Sequence, residues 1–472
     1  MSIKGLGKQS LIYGLGHILA RLITFLLLPL YTHSFTQEEY GALSLAYAFM
    51  GFALILYRYG MDTALMKFSV QTSGTERTKH ITVILISQIT TGVIFTLCLY
   101  LSRNYLAYLV LGINRPDWMI YVSAIIFLDS LWNLPLLILR SEEKAVPFIG
   151  FSLLNVITTM ALNILFVVHW GSGIEGVFKA NIIASAIVLF STAPIIIQRI
   201  KLKMLDEVIF MKILRFAIPF LPAGIFTMVM ELSDRYLLEW FLGIADVGLY
   251  SAGKKMGMLG LTIVMGFNMG WTPYFLKRGQ EEGAKIEFAK IATLFCGIMG
   301  YIFMLVSILV GDIMQLSIFG QTLIGSEFWN CEPVVSVILI GYFFFGTYVI
   351  QLPGVYMKEI TKWVPIFRIT GALTLILSCI WLIPVLGLMG AAYSVVFAFL
   401  AMNLSIYFKT YRIYQVPYNW RAILFPIIFL VGAQLNIGDS LPKLWLSIIY
   451  PLLWYFFALT NDEKQDLIRL VR

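Results

Sequence analysis

Apolar residues fill most of the chain in long runs, and short polar segments separate each run from the next. About 20 residues of α-helix cross the roughly 30 Å hydrocarbon core of a bilayer, so each run predicts a transmembrane helix. Fourteen spans are predicted, at 10–31, 40–66, 81–101, 118–139, 146–168, 174–198, 212–232, 245–273, 287–310, 333–357, 364–384, 388–408, 422–437 and 444–460. The predicted fold class is therefore an all-α polytopic membrane protein.

One short pattern occurs twice and predicts an internal repeat. Residues 39–44 read EYGALS and residues 246–251 read DVGLYS, an acidic-x-Gly-x-x-Ser pattern that opens the second helix of two successive six-helix blocks. Because six spans return the chain to the same side of the membrane, the two copies share one orientation, as in transporters built from parallel repeats. We predict an N-terminal lobe at 1–204, a C-terminal lobe at 205–415, and two further spans with a tail at 416–472.

Composition and charge support a membrane protein and predict its orientation. Hydrophobic residues make up 59% of the chain and charged residues 13%, whereas a soluble domain has roughly 25% charged residues. The net charge of +8 does not indicate nucleic-acid binding, because the basic residues lie in short clusters between apolar runs. Alternate loops hold nearly all of them, which predicts that both termini are cytoplasmic. The first helix is too long for a signal-peptide core and is expected to stay attached.

Motifs of soluble catalysis do not occur in the chain. There is no P-loop, HExxH, GxSxG or strand-to-helix GxGxxG, and the longest outer loop, at 311–332, is too short for a catalytic domain. The cysteines at 98, 296, 331 and 379 have neither metal-site nor disulfide-framework spacing. We therefore expect a protein that is not an enzyme and that holds no resident metal or organic cofactor.

Four basic residues lie deep within the predicted spans. Arg58 lies roughly 14 Å from Lys67 along its helix, at about 1.5 Å per residue, and so close to the middle of the bilayer. Arg21 lies near mid-depth in the first span, and Lys254 and Lys255 lie roughly 12–14 Å into the eighth. A charge at this depth costs about 2.5 to over 10 kcal/mol, so it normally faces a hydrated cavity or a charged partner.

Two interpretations of these charges are open. In the first, Arg58 pairs with Asp62 and Arg21 pairs with Asp129, as structural ion pairs between packed helices. In the second, both arginines and one of the lysines at 254 and 255 line a central cavity between the lobes and bind an anion. The surplus of deep cations over deep acids favours the second interpretation, and arginine suits phosphate because it donates bidentate hydrogen bonds.

Two residues are candidates for coupling transport to Na⁺ or H⁺. Asp129 lies near mid-depth in the fourth span, and intramembrane carboxylates often take part in such coupling. Asp129 could equally be a counter-ion for an arginine, as could Asp62. His17 is the second candidate, because an unperturbed histidine changes its charge near neutral pH, although His17 could instead only form a local hydrogen bond.

The seventh span carries a candidate hinge. Pro219, Pro222 and Gly224 fall within six residues, and proline removes a helical hydrogen bond and clashes with the preceding turn. This segment either bends during alternating access or forms only a fixed kink.

Several short motifs together resemble one transporter family. They are Lys8–Gly14, Leu28–Thr32, Glu39–Gly41, Tyr59–Asp62 after Arg58, the proline-rich start of the seventh span, and Asp234–Leu238. Across nearly its whole length the chain resembles the polysaccharide flippases of the MATE-like MOP exporter superfamily, the Wzx group.

The resemblance implies a V-shaped pair of six-helix bundles that carries undecaprenyl-pyrophosphate-linked oligosaccharide, such as an O-antigen, lipopolysaccharide, capsule or exopolysaccharide unit, across the bacterial plasma (inner) membrane. Family members that move lipid-linked sugars have cationic residues on spans 1, 2 and 8, which match Arg21, Arg58 and either Lys254 or Lys255. Spans 13 and 14 resemble those that form a lipid-tail groove in lipid II flippases. The implied partners are membrane lipids, a polysaccharide polymerase and chain-length proteins. A MATE-type drug or metabolite antiporter of the same fold is the main alternative, and a membrane polysaccharide polymerase is a second.

Overall fold

A computed structural model of the chain describes Gly16 and residues 18–318, 320–360, 362–435 and 443–465. These residues form a nearly all-helical protein with one short hairpin. Among them, ten helices are long and apolar enough to cross a membrane, and three shorter apolar helices add to these. The predicted all-α polytopic membrane protein is confirmed. His17 and the whole N-terminal motif at 8–14 that contributed to the resemblance lie outside the described residues.

The chain divides into two compact units, at 1–248 and 249–472. The first unit contains α1 (Ile18–Ser34), α2 (Gln37–Arg58), α3 (Met61–Gln71), α4 (Gly74–Leu101), α5 (Arg103–Leu111), α6 (Pro116–Ser141), α7 (Ala145–Asn163, extended by a π-helical turn Ile164–His169), α8 (Gly173–Ile197), α9 (Glu207–Ala217), α10 (Phe220–Leu242) and the start of α11 (Ile244–Arg278). The second contains the rest of α11, α12 (Ala284–Gln315), β1 (Ser317–Ile318), β2 (Gln321–Thr322), α13 (Glu332–Ile350), α14 (Leu352–Met357), α15 (Trp363–Leu386), α16 (Leu388–Thr410), α17 (Trp420–Gln434) and α18 (Lys443–Leu453, extended by a π-helical turn Trp454–Ala458).

The second predicted span consists of two helices instead of one. A capping box starts α2, in which the Thr36 hydroxyl accepts from the Glu39 backbone N–H at 3.2 Å and the Glu39 carboxylate accepts from the Thr36 N–H at 3.0 Å. The helix ends at Arg58 because Tyr59 (φ 30°) and Gly60 (φ 81°) adopt left-handed backbone conformations. Such conformations end an α-helix and cost energy for a residue with a side chain.

The seventh predicted span is also interrupted, and its break contacts the first one. Pro219 separates α9 from α10. A Cβ atom on Gly60 would lie 2.1 Å from the carbonyl oxygen of Ala217, and a Cβ on Gly224 would lie 2.9 Å from Ile55. Only glycine allows this approach, so the two interrupted helices pack directly against each other at their breaks.

A buried hydrophobic cluster joins α9 to α3, α4 and α6. Met61, Ile84, Ile138 and Ile213, one from each helix, are fully buried in it. Burying a side chain of this size stabilises a fold by about 1.5–3 kcal/mol, so α9 packs as part of the first unit, which ends at Gly248. The predicted lobe boundaries follow the sequence repeat and stay a prediction.

The glycines of the repeated pattern contact each other's helices where α2 and α11 begin. A Cβ on Gly41 would lie 2.1 Å from the Ile244 carbonyl oxygen, and a Cβ on Gly248 would lie 1.9 Å from the Gln37 carbonyl oxygen. Each glycine therefore faces the residue four positions before the other glycine. The crossing is reciprocal, and both of its contacts lie within the first unit.

A charged cluster joins the ends of α4, α6 and α8. The Glu142 carboxylate accepts hydrogen bonds from Arg199 at 2.8 and 3.0 Å, pairs with Lys144 at 2.9 Å and contacts Arg77 at 3.3 Å. Burial raises the pKa of Glu142, but the hydrogen bonds and charges of Lys144 and Arg199 outweigh it and hold the pKa below its usual range.

Candidate functional site

Arg58 is the last residue of α2 and lies beside the helix break. Its Nε atom is buried and has no hydrogen-bond partner. Among the described residues, no carboxylate oxygen lies within the 4.0 Å ion-pair distance of its guanidinium. Asp62 and Asp129 attract it only at longer range. The guanidinium of this half-buried residue therefore keeps unused hydrogen-bond capacity at its Nε atom.

The break also places a helix start next to Arg58. Gly60 is the N-cap of α3 and offers no side chain to cap it. The Asp62 carboxylate accepts from the backbone N–H of Thr63 at 2.8 Å, so it is engaged with its own helix. Backbone N–H groups of a first turn carry partial positive charge, and half-helices within a membrane use them to bind anionic groups. Arg58 and the start of α3 therefore both favour an anion.

Asp129 is held by neutral donors. The Trp132 indole N–H donates to its Oδ1 atom at 2.8 Å, and the Ser185 hydroxyl donates to the same atom at 2.6 Å. Trp132 lies on the same helix, α6, and Ser185 lies on α8. These bonds fix the orientation of the carboxylate between two packed helices.

Polar residues that were not predicted from the sequence extend this arrangement. Asn181, one turn before Ser185 on α8, donates to the Tyr47 hydroxyl at 3.0 Å. The buried Tyr31 hydroxyl donates to Asn163 at 3.0 Å. The two asparagines could have been identified from the sequence, because an asparagine inside an apolar run must find a hydrogen-bond partner when it is buried. The partners themselves come from other helices and cannot be read from spacing.

The structural ion pairs that the sequence left open do not form. No nitrogen of Arg58 lies within 4.0 Å of Asp62, and none of Arg21 lies within 4.0 Å of Asp129, both pairs lying among the described residues. Arg21 is exposed on α1. His17, the other polar candidate of that segment, lies outside the described residues.

The two candidate lysines lie in α11 within the second unit. Lys254 is only 5% exposed, and its ammonium lies 5.7 Å from the centre of the Tyr250 ring. Lys255 is half-buried. The deeper burial of Lys254 reflects the roughly 100° rotation between successive helical residues, which directs the two side chains to different faces. Their role in binding stays a prediction.

The candidate hinge residues occupy two different positions. Pro219 caps the start of α10, whereas Pro222 and Gly224 lie inside its first turns. The helix break therefore lies at Pro219, and Gly224 serves the close approach to α2. A swinging motion at this segment stays a prediction.

Comparison with known proteins gives relatives over most of the chain. Residues 6–278, more than half of the chain, match a family profile described as polysaccharide biosynthesis protein. A Haemophilus influenzae protein named for the Lsg locus is 21% identical over 402 residues, covering 78% of this chain and 96% of that protein. An uncharacterized membrane protein of Haemophilus influenzae is 22% identical over 346 residues, covering 72% of this chain and 83% of that protein.

Solved structures of transporters share the fold. The lipid II flippase MurJ in an inward closed conformation superposes with a TM-score of 0.75 at 14% identity, covering 97% of this chain and all of MurJ. An inward-facing multidrug resistance MATE transporter of the MOP superfamily gives a TM-score of 0.60 at 15% identity, covering 92% of this chain and 96% of that one. At these identities the similarity shows the fold alone, an all-helical fold shared with these two transporters.

Proposed function

Because the chain belongs to the polysaccharide biosynthesis protein family, we propose that it flips a lipid-linked oligosaccharide across a membrane. The proposed substrate is an undecaprenyl-pyrophosphate-linked repeat unit of O-antigen, capsule or another exopolysaccharide. The proposed location is the bacterial plasma membrane, with both termini cytoplasmic. Transport would proceed by alternating access and would hydrolyse nothing.

The observation that supports this proposal is the unsatisfied hydrogen-bond donor of Arg58. Arg58 is the last residue of a helix and lies within an apolar segment that is long enough to cross a membrane. Its Nε atom is buried and has no hydrogen-bond partner. Leaving such a donor unsatisfied costs about 1–3 kcal/mol or more, because the group has lost its hydration. A pyrophosphate would supply several charged acceptor oxygens in a geometry that arginine binds bidentately.

The proposed roles of the other residues follow from this one. Arg21 and one of Lys254 and Lys255 would help hold the pyrophosphate, the sugars would occupy a hydrated cavity, and the prenyl chain would stay in the lipid. Asp129 is the first candidate for coupling to Na⁺ or H⁺, because two neutral donors already orient its carboxylate. Asp62 would act as a counter-ion at longer range. A polymerase and chain-length proteins are the proposed partners downstream.

A drug or metabolite antiporter is the second candidate, because multidrug MATE transporters share the fold. A cationic drug would require an acid with unused capacity near the helix break. Asp62 instead accepts from the Thr63 N–H of its own helix, whereas the Arg58 Nε atom is buried without a hydrogen-bond partner. The charge of the site therefore supports an anionic substrate.

Complementation of a strain that lacks the gene tests the proposal. Arg58→Ala should lower surface polysaccharide by about tenfold or more and cause undecaprenyl-linked intermediates to accumulate, because a charge-assisted bidentate contact is lost. Arg58→Lys should retain part of the activity, since it keeps the charge without the planar fork. Arg115→Ala is the matched control, because Arg115 is exposed and forms a surface pair with Glu175.

All variants must reach the membrane at wild-type levels. Unchanged polysaccharide and unchanged intermediates in Arg58→Ala would contradict the role of Arg58. If deleting the gene itself changes neither quantity, the substrate class is wrong, and a drug-resistance screen would test the antiporter instead.

A further inference from the structure

Two lysines from different helices of the first unit lie over the same aromatic ring. The Lys67 ammonium on α3 lies 5.4 Å from the centre of the Phe68 ring, and the Lys212 ammonium on α9 lies 5.6 Å from it. Lys67 also lies 3.9 Å from the centre of the Phe216 ring. Packing of the α3–α9 contact therefore brings two cations together.

Neither lysine is neutralised by a described residue. No described carboxylate lies within the 4.0 Å ion-pair distance of either ammonium, whereas Lys144 and Lys179 pair with glutamates at 2.9 and 3.6 Å. An aromatic face attracts a cation but carries no net opposing charge. The contact therefore holds two ammonium groups without an ion-pair partner among the described residues.

Exposed apolar side chains lie beside the two lysines. On α9, Val208 and Met211 lie within about one turn of Lys212 and are 79% and 44% exposed. Ile218, just after the helix, is 49% exposed. A ligand that matches both features carries a phosphate on a hydrocarbon chain, because basic side chains next to apolar surface are the usual recognition elements for anionic lipid headgroups.

We propose that Lys67 and Lys212 form a binding site for the phosphate group of a membrane lipid. That lipid is either an ordinary anionic phospholipid or the pyrophosphate-linked carrier itself. In the second case the site would receive the carrier before it reaches Arg58, which lies nine residues before Lys67 in the chain, at the end of α2. Only this second case rests on the proposed function.

Binding measurements on the full-length protein in detergent micelles test the site. The probes are dioleoylphosphatidylglycerol and undecaprenyl pyrophosphate, with dioleoylphosphatidylcholine as the zwitterionic reference. The double variant K67Q/K212Q should weaken binding of at least one anionic probe by about 25-fold, since each lysine near the surface contributes roughly a fivefold effect. K67R/K212R should restore binding, because it keeps both charges.

The matched control removes two lysines of the same kind from the second unit. Lys285 and Lys409 lie 4.7 and 3.9 Å from the centres of the Tyr414 and Trp363 rings, each over its own ring. The variant K285Q/K409Q should change binding by less than twofold. Equal losses in both double variants would overturn the proposal, because the effect would then follow net charge alone.

The two lipid sources give different results. A loss confined to undecaprenyl pyrophosphate assigns the site to the carrier, and a loss for both anionic probes assigns it to anionic phospholipid. Unchanged binding of both probes in K67Q/K212Q overturns the proposal. If Arg58→Ala weakens binding of undecaprenyl pyrophosphate and K67Q/K212Q weakens binding of neither probe, the proposed function stands and the lysine site fails. If only phosphatidylglycerol binding depends on the lysines, the site stands whatever the transported substrate.

Discussion

The reciprocal crossing of α2 and α11 should tolerate no side chain larger than hydrogen at either glycine. A Cβ atom at Gly41 would lie 2.1 Å from a backbone oxygen, and one at Gly248 would lie 1.9 Å from another, whereas ordinary contact begins at 3.4 Å. A backbone oxygen cannot move aside by changing rotamer. Gly41→Ala or Gly248→Ala must therefore separate the two helices by about 1 Å or more.

The expected cost follows from two opposing contributions. Forcing one extra methyl into a packed contact costs about 1–3 kcal/mol, and separation also weakens the close Cα–H···O contacts between helices. Alanine in place of glycine gains up to about 1 kcal/mol of helix propensity. Each single variant should therefore lose about 1–2 kcal/mol. The double variant should lose less than the sum, because the first separation already relieves the second clash.

Thermal unfolding of detergent-solubilised protein measures the effect. Gly150→Ala and Gly270→Ala are the matched controls, because both glycines lie in helices and a Cβ at either would meet no atom within 4 Å. The control midpoints should stay equal or rise slightly. If Gly41→Ala and Gly248→Ala behave like these controls, the close crossing does not exist as described and the reasoning is refuted.

Three further predictions concern the charged cluster, the buried acid and the cysteines. The depressed pKa of Glu142 contributes stability that is present above its unfolded value of about 4.3 and is lost as the pH falls through the lower folded value. Midpoints of wild type and Glu142→Gln should therefore differ at pH 7 and converge towards pH 3, and a constant difference would argue against the cluster. Asp129→Asn should keep both hydrogen bonds to Oδ1 and a wild-type midpoint of thermal unfolding. If transport by this variant no longer depends on the Na⁺ or H⁺ gradient, Asp129 takes part in coupling. Unchanged dependence would exclude a coupling role for Asp129. N-ethylmaleimide should label Cys98, which is exposed, before the three buried cysteines, and mass spectrometry showing equal labelling would contradict the packing.

Fold class and membrane character could be predicted from the sequence because they depend on local patterns. The length of an apolar run is matched to bilayer thickness, and a helix satisfies its own backbone hydrogen bonds within each run. Counting residues along each run also predicts that Arg58 lies deep in the membrane, and this depth stays a prediction. The repeated glycines could be found as a pattern, although their reciprocal contact could not.

Only the tertiary structure determined which partners these residues have and where the helices break. The run through Arg58 is apolar enough overall to read as one span, so its hydropathy does not show the break at Tyr59. The left-handed Gly60 also approaches the carbonyl oxygen of Ala217, which is far away in the sequence, so closely that a Cβ atom would not fit. In the same way, Asp129 could have paired with an arginine, but the packing of α8 brought Ser185 to it instead. Patterns of hydrophobicity determine which segments become helices, whereas partners and helix breaks depend on contacts between distant segments that only the folded chain creates.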